Sequence, residues 1–118
     1  TVKLPLYQLA HSRAGDKGNT SNISVIAWDS ECYALLVEQM TVARVAEWFG
    51  YRQPKNVARY LLPKLESMNF VLEGILDGGV NDALNLDTHG KGLSFWMLDM
   101  LIDVPTTLAA RLAVKEYA

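Results

Sequence analysis

A polar stretch near the amino terminus carries the residue types best suited to chemistry. It reads His11-Ser12-Arg13-Ala14-Gly15-Asp16-Lys17-Gly18-Asn19 and lies between two apolar runs. Arginine offers a two-pronged donor, lysine a point charge, and glycine lets a ligand approach the backbone. The stretch therefore predicts a site for a small anion, although a solvated hairpin loop is the plain alternative. The candidate binding residues are Arg13, Gly15, Lys17, Gly18 and Asn19, and Asp16 is the candidate proton carrier.

A second candidate segment stands before a strongly apolar run. Asp87, His89 and Lys91 lie beside Gly90 and Gly92, where backbone donors at a helix start would favour an anion. Histidine titrates near neutrality, so His89 is the second candidate proton carrier. The alternative is that Asp87 or Thr88 caps the helix and His89 is a surface side chain. The anion hypothesis requires the two segments to line one pocket.

Known cofactor and metal motifs do not account for these residues. Lys91 lacks the glycine spacing and the following Ser or Thr of a phosphate-binding loop, and Phe95 stands where a dinucleotide motif needs its third glycine. The two histidines, His11 and His89, have no spacing typical of a metal site. We therefore expect neither a cofactor nor a metal.

Composition limits the class of protein. The chain has 118 residues, 50% of them hydrophobic, and a formal net charge of −2, which favours one domain over residues 1–118 and disfavours nucleic-acid binding. A single Cys32 fits a reducing compartment. No secretory pattern and no membrane-length apolar run are present. We expect a soluble cytoplasmic protein without a membrane partner.

Periodicity predicts the first half of the fold. Residues 3–9 and 20–28 have the character of strands, joined by the polar stretch with Gly18 left-handed. A helix is expected from Ser30, capped by Asp29 or Ser30, and a second from Thr41, closed by a left-handed Gly50.

The second half is expected to hold two more strands and two helices. The strands are Val57–Leu62 and Met68–Leu76, followed by a turn over residues 77–82 and a short apolar piece over residues 83–86. The helix Leu93–Ile102 is apolar nearly all round, so it must be covered on several sides, and a neighbouring subunit would do this in a homo-oligomer. A last helix is expected from Pro105 to Tyr117. This order predicts an α+β fold, a ferredoxin-like sandwich of helices on a mainly antiparallel sheet with an added C-terminal helix.

Several ordered motifs resemble the ferredoxin-fold domain at the C-terminal end of acyclic terpene utilisation protein A. They are the run from Pro5 to Ile23, Asn69–Gly74, Gly78-Gly79-Val80, and Leu86-Asp87 with Gly90-Lys91. The resemblance covers nearly all of residues 4–105. The larger N-terminal domain of that family has no counterpart in this sequence, so the chain resembles a free-standing version.

The resemblance implies a role near the breakdown of branched terpenoid acids and alcohols, at the level of coenzyme A thioesters. Two hypotheses follow, and neither fixes whether the chain is an enzyme. In the first, Arg13 and Lys17 hold a carboxylate or acyl thioester while Asp16 or His89 moves a proton. In the second, the chain is a non-catalytic oligomerisation or regulatory module, and its apolar helix docks a separate large catalytic subunit.

Overall fold

The computed structural model describes residues 1–75 and 91–116 of the chain. Within them, a four-stranded antiparallel sheet and a smaller two-stranded antiparallel sheet pack with helices around one apolar core. The strands are β1 (Val2–Pro5), β2 (Ala10–Lys17), β3 (Thr20–Ala27), β4 (Asn56–Leu62), β5 (Ser67–Glu73) and β6 (Leu101–Val104). The helices are α1 (Ser30–Gln39), α2 (Val42–Trp48), α3 (Lys91–Leu98) and α4 (Thr106–Glu116).

The large sheet has the strand order β2-β3-β5-β4. Side chains alternate between its two faces, as in any strand. On the inner face, Ile23 and Val25 of β3 and Phe70 and Leu72 of β5 are fully buried beneath the helices. The opposite face, called the outer face below, carries mainly polar side chains, among them the exposed Asn22 of β3. The sheet therefore separates a helix-covered core from a polar surface.

The polar stretch over residues 11–19 is mostly strand, so its assignment as a loop was wrong. Residues 11–17 belong to β2 and pair with β3 from His11 opposite Ile26 to Lys17 opposite Thr20. Gly18 and Asn19 alone form the turn, with Gly18 at a φ of 62°. A left-handed glycine at the first position of a two-residue turn matches the twist of a hairpin. The expected left-handed Gly18 is confirmed.

The first strand is shorter than expected. β1 ends at Pro5, and residues 6–8 form a turn of 3₁₀ helix that is closed by the Leu9 N–H, which donates to the carbonyl of Leu6 at 2.8 Å. β1 pairs with β6 in the small sheet. The strands expected near residues 20–28, 57–62 and 68–76 are found as β3, β4 and β5.

The capping residues set the starts of α1 and α2 as expected. The Asp29 carboxylate accepts the Cys32 backbone N–H at 2.9 Å, and the Thr41 hydroxyl accepts that of Arg44 at 3.1 Å. The Cys32 hydrogen bond, assisted by Arg111, lowers the pKa of Asp29. The expected C-cap at Gly50 is wrong, because Gly50 opens a 3₁₀ turn whose left-handed cap is Gln53, at a φ of 49°.

The apolar helix ends earlier than expected. α3 stops at Leu98, and Leu101 and Ile102 belong to β6, where burial alternates along the strand. Met97 and Leu93 are fully buried within the same chain, while Phe95 is 60% exposed. Much of this helix is thus covered without a second subunit, and the homo-oligomer stays a prediction.

These elements confirm an α+β, ferredoxin-like architecture with a C-terminal helix, α4, that follows Pro105. The turn expected over residues 77–82, the apolar piece over residues 83–86 and the end of the strand at Leu76 lie outside the described residues. None of the helices described is both long enough and apolar enough to cross a membrane.

Candidate functional site

The outer face of the β2–β3 hairpin brings together two of the predicted cations. Arg13, Gly15 and Lys17 are alternate residues of β2, so their positions share this face. Opposite them on β3 stand Ser24, Asn22 and Thr20. The Cα atoms of Arg13 and Lys17 are therefore about 13 Å apart, with Gly15 midway. Two long cationic side chains on one face can converge above that glycine.

A concavity of about 640 Å³ lies at this place and opens to solvent. This volume is within the range of small-molecule sites, about 300–1,000 Å³. Its lining combines two cations, one carboxylate and the hydroxyl and amide groups of β3. The lining residues are Arg13, Ala14, Gly15, Asp16, Lys17, Thr20, Asn22 and Ser24.

Arg13 differs from the other arginines of the chain in its lack of a partner. Within residues 1–75 and 91–116, its exposed guanidinium makes no hydrogen bond or ion pair, whereas each of the other four donates to a carbonyl or a carboxylate. Those four are Arg44 with Leu101, Arg52 with Ile75, Arg59 with Val37 and Met40, and Arg111 with Asp29 and Glu31. Lys17 is likewise exposed and has no partner in the described part of the chain. Both cations are thus available to a ligand.

Gly15 keeps the floor of the concavity open. A Cβ atom built on Gly15 would meet no heavy atom within 4 Å, and Gly15 does not have a positive φ. A side chain at this position would therefore occupy the space between Arg13 and Lys17 without straining the backbone. The useful property of this glycine is its missing side chain.

The other residues predicted in the hairpin have different positions. Asp16 borders the concavity, but it pairs with the buried Ser21 and so belongs to the inner-face set of β2 positions. Gly18 and Asn19 form the turn and are not among the lining residues. The ring of His11 stacks on that of Trp28, with 5.0 Å between centroids. Strand alternation thus puts Asp16 among the inner-face positions of β2, although it also borders the concavity that the two cations line.

The second predicted segment cannot be added to this geometry. Asp87 and His89 lie outside the described residues, and of Lys91 only the backbone is described, as the first residue of α3. The joint pocket of the two segments stays a prediction. Across the described residues, no three His, Cys, Asp or Glu side chains are grouped so as to hold a metal ion.

Sequence reasoning missed the polar side chains of β3. Thr20, Asn22 and Ser24 line the concavity, and the Ser24 hydroxyl also donates to the Asn69 amide oxygen at 3.3 Å. The signal was present, because these residues alternate with the buried Ser21, Ile23 and Val25. A strand with one polar face predicts a surface on which a ligand has hydrogen-bonding partners.

Taken together, the antiparallel sheet, its helical layer and the cationic hairpin define a ferredoxin-like α+β domain with an exposed polar sheet face. The sequence model of the AtuA ferredoxin-like domain matches residues 4–103. The chain therefore belongs to the AtuA ferredoxin-like domain family. No curated protein and no solved structure matches it.

Proposed function

We propose that this protein binds an anionic small molecule, a carboxylate or an acyl-coenzyme A thioester, on the outer face of the β2–β3 hairpin. The observation that carries the proposal is that Arg13, beside Lys17 in an open concavity, has no partner among residues 1–75 and 91–116, whereas every other arginine has one. Arginine binds a carboxylate or phosphate through two parallel hydrogen bonds, and lysine adds a point charge.

The neutral groups of β3 support the same ligand class. The Asn22 amide and the Thr20 hydroxyl stand opposite Gly15 and Lys17 and can donate to an anion's remaining oxygens. The concavity is open, which suits the charged head of a larger molecule whose remainder extends into solvent or over the sheet. An acyl-coenzyme A thioester has this form, and the link of the family to branched terpenoid acids supports it.

The proposal does not include a reaction. Asp16 and His89 remain the sequence-based candidates for proton transfer, with Gly18, Asn19, Asp87 and Lys91 as further candidates for binding. A cytoplasmic location, to which a single cysteine is suited, is part of the same proposal.

A second candidate function rests on the surface of α3. Phe95 is 60% exposed, and Tyr51, which is 51% exposed, contacts Trp96 edge-on at 5.3 Å between centroids. Exposed aromatic side chains are enriched where proteins dock. These residues support a non-catalytic module that binds a separate large subunit, and Phe95→Lys should then abolish co-purification with that subunit without affecting anion binding.

The test of the anion proposal is a thermal-shift screen with acetyl-coenzyme A, short branched acyl-coenzyme A thioesters and small dicarboxylates. A bound ligand raises the melting temperature in proportion to the logarithm of its concentration over its dissociation constant. The variants Arg13→Gln and Lys17→Gln should each weaken binding about fivefold to tenfold, the loss of one exposed charged contact worth about 1 kcal/mol.

The matched control is Lys64→Gln, which removes an exposed lysine from the far end of the sheet. This variant should bind as the wild type does, and binding by wild type and control should weaken as salt is raised. The proposal fails if no compound shifts the melting temperature, or if all three variants lose the shift equally.

A further inference from the structure

The edge of β4 is unpaired in the described chain, whereas the edge of β6 is capped by side chains. β4 pairs with β5 on one side, and no strand in residues 1–75 or 91–116 pairs with its other side. An unpaired edge presents a row of backbone N–H and C=O groups that can template another strand. β4 has seven residues, which is long enough for such pairing.

The edge of β6 shows how the same chain blocks such a template. The Gln39 side-chain amide donates to the Asp103 carbonyl and accepts from the Asp103 N–H, both at 2.8 Å. Arg44 donates to the Leu101 carbonyl of the same strand. α3 contacts β2, the strand at the other edge of the large sheet. No equivalent side chain caps β4 within the described residues.

The side chains of β4 are also unusual for an exposed edge. Tyr60, Leu61 and Leu62 are consecutive and are 56%, 40% and 44% exposed, and Leu65 just beyond the strand is 69% exposed. Edge strands normally carry charges or prolines that discourage pairing. The one charge within β4, that of Arg59, is directed away from the strand edge, because its guanidinium donates to the carbonyls of Val37 and Met40 at 2.9 and 2.8 Å.

We propose that β4 is a self-association edge: a second copy of this chain pairs with it in antiparallel fashion and joins the two large sheets into one. A symmetric pairing keeps the inner faces of the two sheets on the same side, so two opposed residues must belong to the same face. Because side chains alternate along a strand, the numbers of two opposed residues must then add to an even number. A register centred on Arg59 would place two arginines opposite each other, which is unfavourable. Centring on Leu61 would oppose only residues 60–62 to one another, since residue 63 lies beyond the strand, whereas centring on Tyr60 opposes residues 58–62.

The register centred on Tyr60 satisfies these limits. It opposes Tyr60 to Tyr60 of the second copy, Ala58 to Leu62, and Arg59 to Leu61. Each of the three exposed apolar side chains then gains an apolar or aliphatic neighbour, and like charges are not opposed. This self-complementarity is the reason for choosing a second copy over a foreign strand, and it is independent of the anion proposal.

The first test is the oligomeric state of the purified protein, measured by sedimentation over a range of concentrations. We expect a dimer that dissociates on dilution, and Leu61→Lys should raise its dissociation constant about tenfold or more, because a charge at an edge position opposes pairing. The control is Phe95→Lys, which puts the same charge in place of an exposed apolar residue on α3 and should leave the dimer intact. Circular dichroism of both variants establishes that each is folded.

The second test reads the register by cross-linking. Opposed residues in antiparallel strands have Cα atoms about 4.5–5.5 Å apart, within disulfide range, so Tyr60→Cys should form a covalent dimer on mild oxidation. Ala58→Cys should not, because the two introduced cysteines would lie about 13 Å apart. Native Cys32 is fully buried, so its background reaction is small.

The two tests together decide the proposal. A dimer weakened by Leu61→Lys and cross-linked through Tyr60→Cys supports it. A monomer at every concentration, a dimer weakened by Phe95→Lys and not by Leu61→Lys, or cross-linking through Ala58→Cys in place of Tyr60→Cys would each overturn it. None of these outcomes depends on whether an anion binds at Arg13.

Discussion

The stacked tryptophans Trp48 and Trp96 join α2 to α3 in a way that permits a quantitative prediction. Their ring centroids are 4.9 Å apart with an angle of 21° between planes. Each indole N–H donates to the backbone carbonyl of the other residue, at 2.8 Å from Trp48 and 2.9 Å from Trp96. The pair therefore combines one ring contact with two hydrogen bonds that end on backbone atoms.

Replacing either tryptophan by phenylalanine removes one of these hydrogen bonds and leaves an aromatic ring in place. We expect Trp48→Phe and Trp96→Phe each to lower the free energy of unfolding by about 1–2 kcal/mol, the cost of one half-buried hydrogen bond. Because each acceptor is a backbone carbonyl, the Phe substitution at one site leaves the acceptor for the other. The double Phe variant should therefore show losses that add to within about 0.5 kcal/mol.

Alanine substitutions should behave differently, since they also remove the ring contact. Trp48→Ala and Trp96→Ala should each cost about 3 kcal/mol. The double Ala variant should cost about 1 kcal/mol less than the sum of the two, because the ring contact is lost only once. Urea unfolding followed by far-ultraviolet circular dichroism measures all six variants. The account of one ring contact and two independent hydrogen bonds would be refuted if the two Phe substitutions were strongly coupled in the free energy of unfolding, or if the losses of the two Ala substitutions were strictly additive.

Substitutions at three further positions have defined outcomes. Asp29 accepts the Cys32 N–H and pairs with Arg111, so its pKa is lowered in the folded protein. The stability that Asp29 contributes is therefore present above the ordinary aspartate pKa of about 3.9, and it is lost as the pH falls through the lower pKa of the folded state. Asp29→Asn should thus flatten the acid limb of a stability-against-pH curve, and an unchanged limb would exclude Asp29 as its source. Gly18→Ala should cost about 1 kcal/mol in urea unfolding through the φ of 62° alone, with Gly18→Asn costing less; equal costs would contradict this cause. Arg59→Met keeps the aliphatic stem but leaves two carbonyls at the end of α1 unpaired, and should cost about 2 kcal/mol; a loss under 0.5 kcal/mol would show that water replaces the guanidinium.

Local signals in the sequence were enough to predict several elements. The starts of the first two helices were recognisable because short polar side chains, Asp29 or Ser30 and then Thr41, stand just before helical periodicity. β3 was recognisable from its alternation, and Gly18 from its place between two strands. In each case a short-range rule and the tertiary structure agree.

β2 was missed because its sequence lacks an apolar face. Its inner positions include Ser12 and Ala14, which are small, and its outer positions include Arg13 and Lys17, which are charged. Neither set has the apolar residues of a typical strand. β2 is a strand because it pairs with β3 along its whole length, and side-chain patterns do not reveal that pairing. The residue types were enough to predict the site. That Arg13 has no partner in the described chain, while the other arginines have one, could be seen only in the tertiary structure.

The end of α3 was misplaced for a related reason. Leu101 and Ile102 continue an apolar run, and such a run is equally consistent with helix or strand. Pairing with β1, from Val2 opposite Val104 to Pro5 opposite Leu101, decides for strand. This contact joins residues about a hundred positions apart, so no local pattern could reveal it.

The most direct test of the anion site is a map of amide chemical-shift changes while a short acyl-coenzyme A thioester is titrated into the wild type and into Gly15→Val. The Cβ atom of the valine would meet no heavy atom within 4 Å, and its two methyl groups would extend into the open floor of the concavity. We expect shifts centred on Arg13, Gly15, Lys17 and Asn22 in the wild type, and binding at least about tenfold weaker in the variant. Shifts centred elsewhere, or equal affinity in the two proteins, would contradict the proposed site.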